Sequence, residues 1–385
     1  MHALLQALEE DQGEFTTWRR HMHRHPETAF EEKGTAAYIA GLLRGWGYDV
    51  VEGVGRTGVV ASLKAGTGDR AVALRADTDA LPIHEMNDCA HRSCVAGKSH
   101  MCGHDGHSAM LLGAAKHLAR TRNFNGVVRL IFQPAEEIMG GAVAMIDDGL
   151  FERFPFDAIF GMHNMPGLEQ GKIYFTSGPV MAAVDNWEIV LTGRGSHGSM
   201  PERSLDPIVA GASLVMALQT IVSRNVHPKD SAVVTVGAFN AGEAPNVIPQ
   251  SATLRVNVRS AKPETRKFVL DRIRAIVAAQ SECYGLTHTI TEGYPGAVLV
   301  NDPRETARCA AIAKRLLGDD NVVDDGPTFM GSEDFAFFAR HRPGTYCFIG
   351  NGDTPMVHHP QYDFDDRNLP VGAAYWVSVA EGYLR

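Results

Sequence analysis

Between residues 183 and 295 the sequence presents six elements in an order that few folds accept. Asn186–Thr192 alternates apolar and polar residues as a half-buried strand does, and Asp206–Val222 has helical apolar spacing with Pro207 near its first turn. Val233–Phe239 and Ala252–Val258 read as two strands, separated by a turn region rich in Gly, Pro and Asn. Pro263–Tyr284 is a second long helix and Thr287–Thr291 a last strand. The order β-α-β-β-α-β is that of a ferredoxin-like sandwich.

The flanking sequence behaves differently. Residues 28–46 have helical spacing that stops at Gly47, and Ser108–Leu118 and Ala142–Asp147 read as further helices. Between them lie short apolar runs that read as strands: Tyr48–Val51, Val59–Leu63, Ala71–Arg75, Val127–Gln133 and Ala158–Gly161. Such alternation predicts an α/β sheet with helices on both faces, and it resumes beyond residue 295. The expected organisation is a larger α/β domain of residues 1–182 and 296–385, interrupted by a smaller one at 183–295. A chain of 385 residues is too long for one typical core, which agrees with two domains.

Composition excludes several classes of function. The formal net charge of -9 and the absence of a basic stripe argue against a nucleic-acid partner. The N-terminal residues lack a basic segment followed by a long apolar run, and no apolar stretch approaches the roughly 20 residues that cross a bilayer. A cytoplasmic protein with no membrane partner is expected. In that compartment Cys89, Cys94, Cys102, Cys283, Cys309 and Cys347 would be core thiols, metal ligands or nucleophiles, not a disulfide framework.

Four short segments carry candidate chemistry. Residues 101–107, MCGHDGH, pack Cys, His and Asp into an expected loop before a helix; an extended backbone would point Cys102 and His104 to one side. Residues 133–137, QPAEE, end the Val127–Gln133 strand, where alternation would let one Glu bind metal while its neighbour acts on a water. His163-Asn164 follows another expected strand, and Val357-His358-His359-Pro360 lies near the C-terminus. Each segment alone also fits a solvated turn or a satisfied polar side chain. Together they supply enough donors for two metal ions with positions open to water and substrate. A cysteine nucleophile at Cys102 with His104 as its base is the competing reading, which the acidic neighbours and the distant histidines disfavour.

With these segments in order, the chain resembles the aminoacylase/carboxypeptidase family of dinuclear metallohydrolases, in the branch of hippurate hydrolase and the indoleacetyl-amino-acid hydrolases. The matching motifs are HRHPE at 23–27 with Phe30-Glu31-Glu32, RADTDALP at 75–82, MCGHDGH, QPAEE and His163-Asn164. Gly195-Ser196-His197, Asn246-Val247-Ile248-Pro249, GSEDF at 331–335 and the 357–360 segment complete them. The resemblance implies a metal-dependent amidohydrolase that cleaves N-acyl amino acids into a carboxylic acid and a free amino acid. It implies two divalent ions (Mn, Zn, Ni or Co) on Cys102, His104, Glu137, His163 and His358, with Asp79, joined by Asp77, orienting the ligands. Glu136 would be the general base, with His107 a neighbour and His21, His23 and His25 structural. The inserted domain would be a dimerisation lid that brings His197 to the partner subunit's site as oxyanion stabiliser, within a homodimer or higher oligomer. Asn246 and Arg259 would hold substrate, Arg255 competing for its carboxylate, and Glu333 would lie on an active-site loop with its role open. A dipeptidase, a carboxypeptidase or an N-acetyl-diaminopimelate deacetylase would use the same machinery. A degenerate binding protein would lack ligands or base, and here all are present.

Overall fold

The computed structural model describes residues 3–294 and 296–385. The chain divides into two compact units: one runs from the N-terminus to Gly178 and includes Val300–Pro327 and Asp334–Arg385, and the other is Pro179–Leu299 with Thr328–Glu333. Residue 295, the expected end of the insertion, lies outside the described residues.

The first unit is built on an eight-stranded mixed sheet. In spatial order its strands are Asp49–Val54, Gly58–Ala65, Gly126–Gln133, Ala71–Asp77, Ala158–Met165, Gly344–Gly350, Ile173–Tyr174 and Val322–Val323. The central neighbours from Gly126–Gln133 to Gly344–Gly350 are parallel, and they are the strands whose residues are buried almost throughout. Burial on both faces is what continuous apolar runs such as AVAL at 71–74 and LIF at 130–132 reflect. The helix His104–Thr121 is buried along most of its length, in one core with Phe15 and Trp18 of the helix Gln12–Arg24 and Tyr375 and Trp376 of the helix Asn368–Tyr383.

Two helices at the start, Ala3–Glu10 and Gln12–Arg24, stand where no element was expected, although both are amphipathic. The helix expected at 28–46 begins only at Lys33. Phe30 is left-handed, with φ 64°, and the carboxylate of Glu27 accepts the free first-turn N–H groups of Gly34 (3.0 Å) and Thr35 (2.8 Å). The helix after MCG starts at His104, so His104 to His107 form its first turn and not a loop. His163 and Asn164 fall inside their strand, which continues to Met165.

The second unit is ferredoxin-like. Its four antiparallel strands lie in the order Ala232–Ala241, Ser251–Ser260, Ala183–Thr192, Thr287–Glu292, with the helices Pro207–Thr220 and Pro263–Cys283. Asp206 caps the first helix by accepting the Ile208 N–H at 2.8 Å, ahead of Pro207 at the position where a missing N–H costs nothing. Thr328–Glu333 joins this unit through Phe329, whose carbonyl accepts the Ala182 N–H at 3.1 Å. By length and composition Pro207–Asn225 is apolar enough to span a bilayer, which corrects the expectation that no stretch comes close. Its Ala210, Leu214, Leu218 and Ile221 are instead buried in the core of this unit with Trp187, Leu254 and Ile273.

A buried ionic network anchors the first turn of the helix His104–Thr121. Arg19 Nε donates to Asp105 Oδ2 at 2.7 Å, and both side chains are fully buried. His23 Nδ1 lies 2.8 Å from the same oxygen and its Nε2 3.2 Å from Glu85 Oε1. Burial and the Arg19 charge oppose protonation of His23, but Asp105 and Glu85 outweigh them and raise its pKa. Both ring nitrogens are therefore committed as donors. Although His23, His91 and Asp363 cluster, the Arg19 guanidinium donates into Asp363 at 2.5 Å. A positive group already fills the role that a cation would have there. Arg19→Met leaves Asp105 buried and half-neutralised. Urea unfolding of this variant is expected to show a loss of about 3–5 kcal/mol; a loss below about 1 kcal/mol would mean that water enters the network freely.

Candidate metal centre

The donor side chains reach one place from four parts of the first unit. Cys102 and His104 flank Gly103, the residue before the helix His104–Thr121, and Gly103 has φ 90°. A Cβ there would stand 2.3 Å from Asn164 Nδ2 and 2.4 Å from Tyr362 Oη, so only glycine fits, both for its conformation and for the space. The turn at Gly103, not an extended backbone, brings the two side chains together. Glu136 and Glu137 follow the Gly126–Gln133 strand, but Ala135 between strand and pair is left-handed, with φ 51°. Strand alternation thus does not decide which Glu points where. Gly141 closes this loop: a Cβ there would stand 1.6 Å from the Pro134 carbonyl oxygen. His358 is left-handed as well, at φ 68°, and its N–H donates to the Met101 carbonyl at 2.6 Å.

Cys102 Sγ lies 3.4 Å from His163 Nε2. Glu137 Oε2 lies 3.3 Å from His358 Nε2, and Glu137 Oε1 3.9 Å from His104 Nε2. Cys102, His104 and His163 form one tight donor group, Cys102, Glu137 and His358 a second, and His104, Glu136 and Glu137 a third. All five residues expected as ligands are therefore brought together, with Glu136 beside them and nearly buried.

Hydrogen bonds preset the histidines. His104 Nδ1 lies 2.9 Å from the Asp79 carbonyl and 3.2 Å from Asp79 Oδ1, both acceptors, so this nitrogen is held as a donor and Nε2 is the one that would exchange its proton for a metal ion. His163 Nδ1–H likewise donates to the Asn164 carbonyl at 2.5 Å. His107 is the contrast. Its Nδ1 bonds Asp77 Oδ1 at 2.6 Å, and its Nε2 accepts the backbone N–H of Asn164 at 3.0 Å, which leaves no lone pair to offer. Asp77 is drawn instead into a chain with Arg75 Nη1 at 2.7 Å, and Arg75 also reaches Gln133 and Asp334. This network, completed by Tyr362 Oη donating to Asn164 Oδ1 at 2.5 Å, was not legible from the motifs, since bonded partners in it lie up to 259 residues apart.

The electrostatics fit a divalent cation. His104 Nε2 and Glu137 Oε1 are buried and have no hydrogen-bond partner among the described residues. Such orphaned atoms are costly unless something binds them. Burial, with the charges of Glu137, Glu136 and Asp77, pushes the Cys102 thiol well above its ordinary value. Burial works against the His104 imidazolium, but Asp77, Asp79 and Glu137 outweigh it and push its pKa up to about 10. Surplus negative charge around a thiol and two imidazoles is the environment that a cation neutralises, converting the thiol to a ligand. Burial and the neighbouring His107 hold His163 well below the usual imidazole range, as a neutral ligand requires.

The sequence pattern of peptidase family M20/M25/M40 matches residues 73–382. The chain belongs to that family. It is 44% identical to the hippurate hydrolase of Campylobacter jejuni over 97% of both chains. It is 39% identical to IAA-amino acid hydrolase ILR1-like 2 of Arabidopsis thaliana, over 95% of this chain and 84% of that one. Among solved structures it resembles the YXEP protein of Bacillus subtilis, described as a dinuclear metal binding peptidase from the M20 family. That match has a TM-score of 0.85 and 32% identity, over 98% and 99% of the two chains.

The other expected site residues of this M20 chain lie in the second unit. His197 is exposed on a short strand paired with Val247–Ile248, and the Gly198 N–H donates to the Asn246 carbonyl at 2.7 Å. Arg259 Nη1 donates to the Met330 carbonyl at 2.7 Å, and Arg255 pairs with Glu188 at 3.3 Å. Glu333 is buried and lies two residues before the short helix Phe335–Ala339.

Asp79→Ala removes the acceptor of the Glu137 N–H, at 3.0 Å, and the side-chain acceptor of the His104 Nδ1–H, leaving His104 only the backbone carbonyl of residue 79 at 2.9 Å. Competition with a chromophoric chelator should show metal affinity lower by about 10–100-fold. Unchanged affinity would show that neither ligand needs this support.

Proposed function

We propose that this chain hydrolyses the amide bond of N-acyl amino acids, with Glu136 as general base beside a pair of divalent ions. One observation carries the reading. Five side chains of thiol, imidazole and carboxylate type converge, two with orphaned atoms, and a further carboxylate, Glu136, stands next to them. Cys102, His104, Glu137, His163 and His358 would hold the ions, which when bound lower the pKa of a water and polarise the amide carbonyl. The mixed donor set suits zinc or manganese, with nickel and cobalt as further options.

The remaining steps belong to the chain's own groups. The Glu136 carboxylate takes a proton from the attacking water and returns it to the leaving nitrogen, so that the amine departs neutral. His197 Nδ1 accepts the Ser199 N–H at 3.1 Å, which places the ring proton on Nε2, free to donate to a developing oxyanion. Arg259 uses two of its N–H donors on Met330 and Asn257 and keeps the rest of its fork for a substrate carboxylate. Asn246, adjoining His197, would hold the reacting carbonyl.

A homodimer through the second unit is part of the proposal, with His197 serving the partner subunit. The helix Pro207–Thr220 exposes Ile208, Val209 and Met216, and the edge strand Ala232–Ala241 exposes Val233 and Phe239. Apolar side chains on an open edge strand favour pairing with another chain. The six free cysteines suit a cytoplasmic setting. An aromatic acyl group on glycine, the substrate named by the Campylobacter relative, is the first candidate.

Metal content by mass spectrometry, paired with amine release from benzoyl-glycine, acetyl-amino acids, indoleacetyl-amino acids, acetyl-diaminopimelate and dipeptides, tests the whole reading. About two metals per chain and chelator-sensitive release support it; no uptake and no hydrolysis would overturn it. Glu136→Gln should retain metal while kcat falls about 10²–10⁴-fold, and near-normal turnover would remove Glu136 as base. Mixing His197→Ala with His104→Ala should restore part of the activity if His197 acts in trans. Verified mixed dimers without any regain would place His197 in its own subunit's site or outside catalysis.

A further inference from the structure

We propose that Glu32 positions the catalytic loop by holding Ala135 in its left-handed conformation. The inference rests on Glu136 as the base and adds the group that aims it. Glu32 is fully buried, although it lies at the N-terminal end of the helix Lys33–Gly45, where a carboxylate could reach water. Its two oxygens are committed separately. Oε1 accepts the Ala135 N–H at 2.9 Å, and Oε2 accepts the Thr57 hydroxyl at 2.6 Å. Ala135 has φ 51°, a conformation that a residue with a Cβ rarely adopts unless its surroundings impose it.

The rest of the loop shows what is imposed. The Ala135 carbonyl accepts the N–H groups of Gly140 (3.2 Å) and Gly141 (3.0 Å), and the Glu136 carbonyl accepts the Met139 N–H at 2.7 Å. The Glu137 N–H goes to Asp79 Oδ2 at 3.0 Å. Two buried carboxylates thus grip the N–H groups on either side of Glu136: Glu32 before it, Asp79 after it. Asp79 also holds His104, so the ligand Glu137 has support of its own. Glu32 reaches the preceding peptide alone. Its removal should misdirect Glu136 and spare the ligands.

The charges agree with a purposeful placement. Burial raises the Glu32 pKa, its hydrogen bonds from Thr57 and Ala135 lower it, and the Asp79 charge raises it further. An apolar residue would avoid that cost if packing were the only need.

The experiment uses full-length, metal-loaded enzyme and the best substrate of the acyl amino acid panel. Glu32→Ala should lower kcat about 10–100-fold with KM and metal content within about 2-fold of the parent. Glu32→Gln should regain most of the loss, because its carbonyl oxygen can accept the Ala135 N–H while its amide N–H₂ donates to Thr57 Oγ1. Thr57→Val, which frees Glu32 to turn, should lower kcat by about 3–10-fold and serves if Glu32→Ala fails to fold. The proposal is overturned if kcat per folded, metal-loaded chain stays within about 2-fold in Glu32→Ala or, where that variant does not fold, in Thr57→Val. It is overturned equally if metal is lost in parallel with activity, or if Glu32→Gln is as impaired as Glu32→Ala. Glu136→Gln run alongside separates the two levels: turnover retained there removes the base itself, whereas its loss with Glu32→Ala fully active removes only the positioning role.

Discussion

The candidate centre depends on one buried carboxylate. Asp79 takes the His104 Nδ1–H with one oxygen and the Glu137 N–H with the other. A donor from the start of a helix is thereby tied to a donor from the end of a strand, without either backbone having to approach the other. The orientation of the His104 ring follows from that bond together with the one to the Asp79 carbonyl, and it leaves Nε2 as the nitrogen that would meet a metal. The orphaned Nε2 and the orphaned Glu137 oxygen then face each other across 3.9 Å, a separation that suits an ion between them and not a hydrogen bond. The neighbouring shell works in the same way. Asp77 occupies His107, Asn164 occupies the other His107 nitrogen, and Arg75 neutralises Asp77. With both its nitrogens engaged, His107 is removed from the possible ligands.

Much of the fold was legible because the physics behind it is local. Buried parallel strands need continuous apolar runs, and Val127–Gln133 and Ala71–Arg75 were visible for that reason. The ferredoxin-like unit was visible because its strands have one buried face and so alternate, as Ala183–Thr192 and Ser251–Ser260 do. The two N-terminal helices carry an amphipathic pattern that was not used, but the inward place of Arg19 in the second was not locally legible, since its partner Asp105 lies far along the chain. A charged residue at a core position reads as a surface residue until its partner is known.

The site residues were legible as motifs but not as geometry. Five donors in four segments could be named from their order along the chain, whereas the means of bringing them together could not. Extended backbone around Cys102 and strand alternation at Glu136 were the natural local expectations. The structure uses two left-handed residues instead, Gly103 and Ala135. At Gly103 the glycine hinted at such a turn. At Ala135 no local signal existed, because the conformation is held by Glu32, 103 residues away. Backbone strain concentrated beside the reacting groups, at Ala135 and His358, is where local rules are expected to fail.

The metal-dependent amidohydrolase chemistry of this M20 chain therefore rests on where cations sit. Anomalous diffraction from crystals grown with manganese, recorded at the manganese edge, tests that claim most directly. The account predicts two peaks, both among Cys102, His104, Glu137, His163 and His358, with Glu136 outside direct coordination. A principal peak at His23, His91 and Asp363, or ligation through His107 with His104 left free, would contradict it.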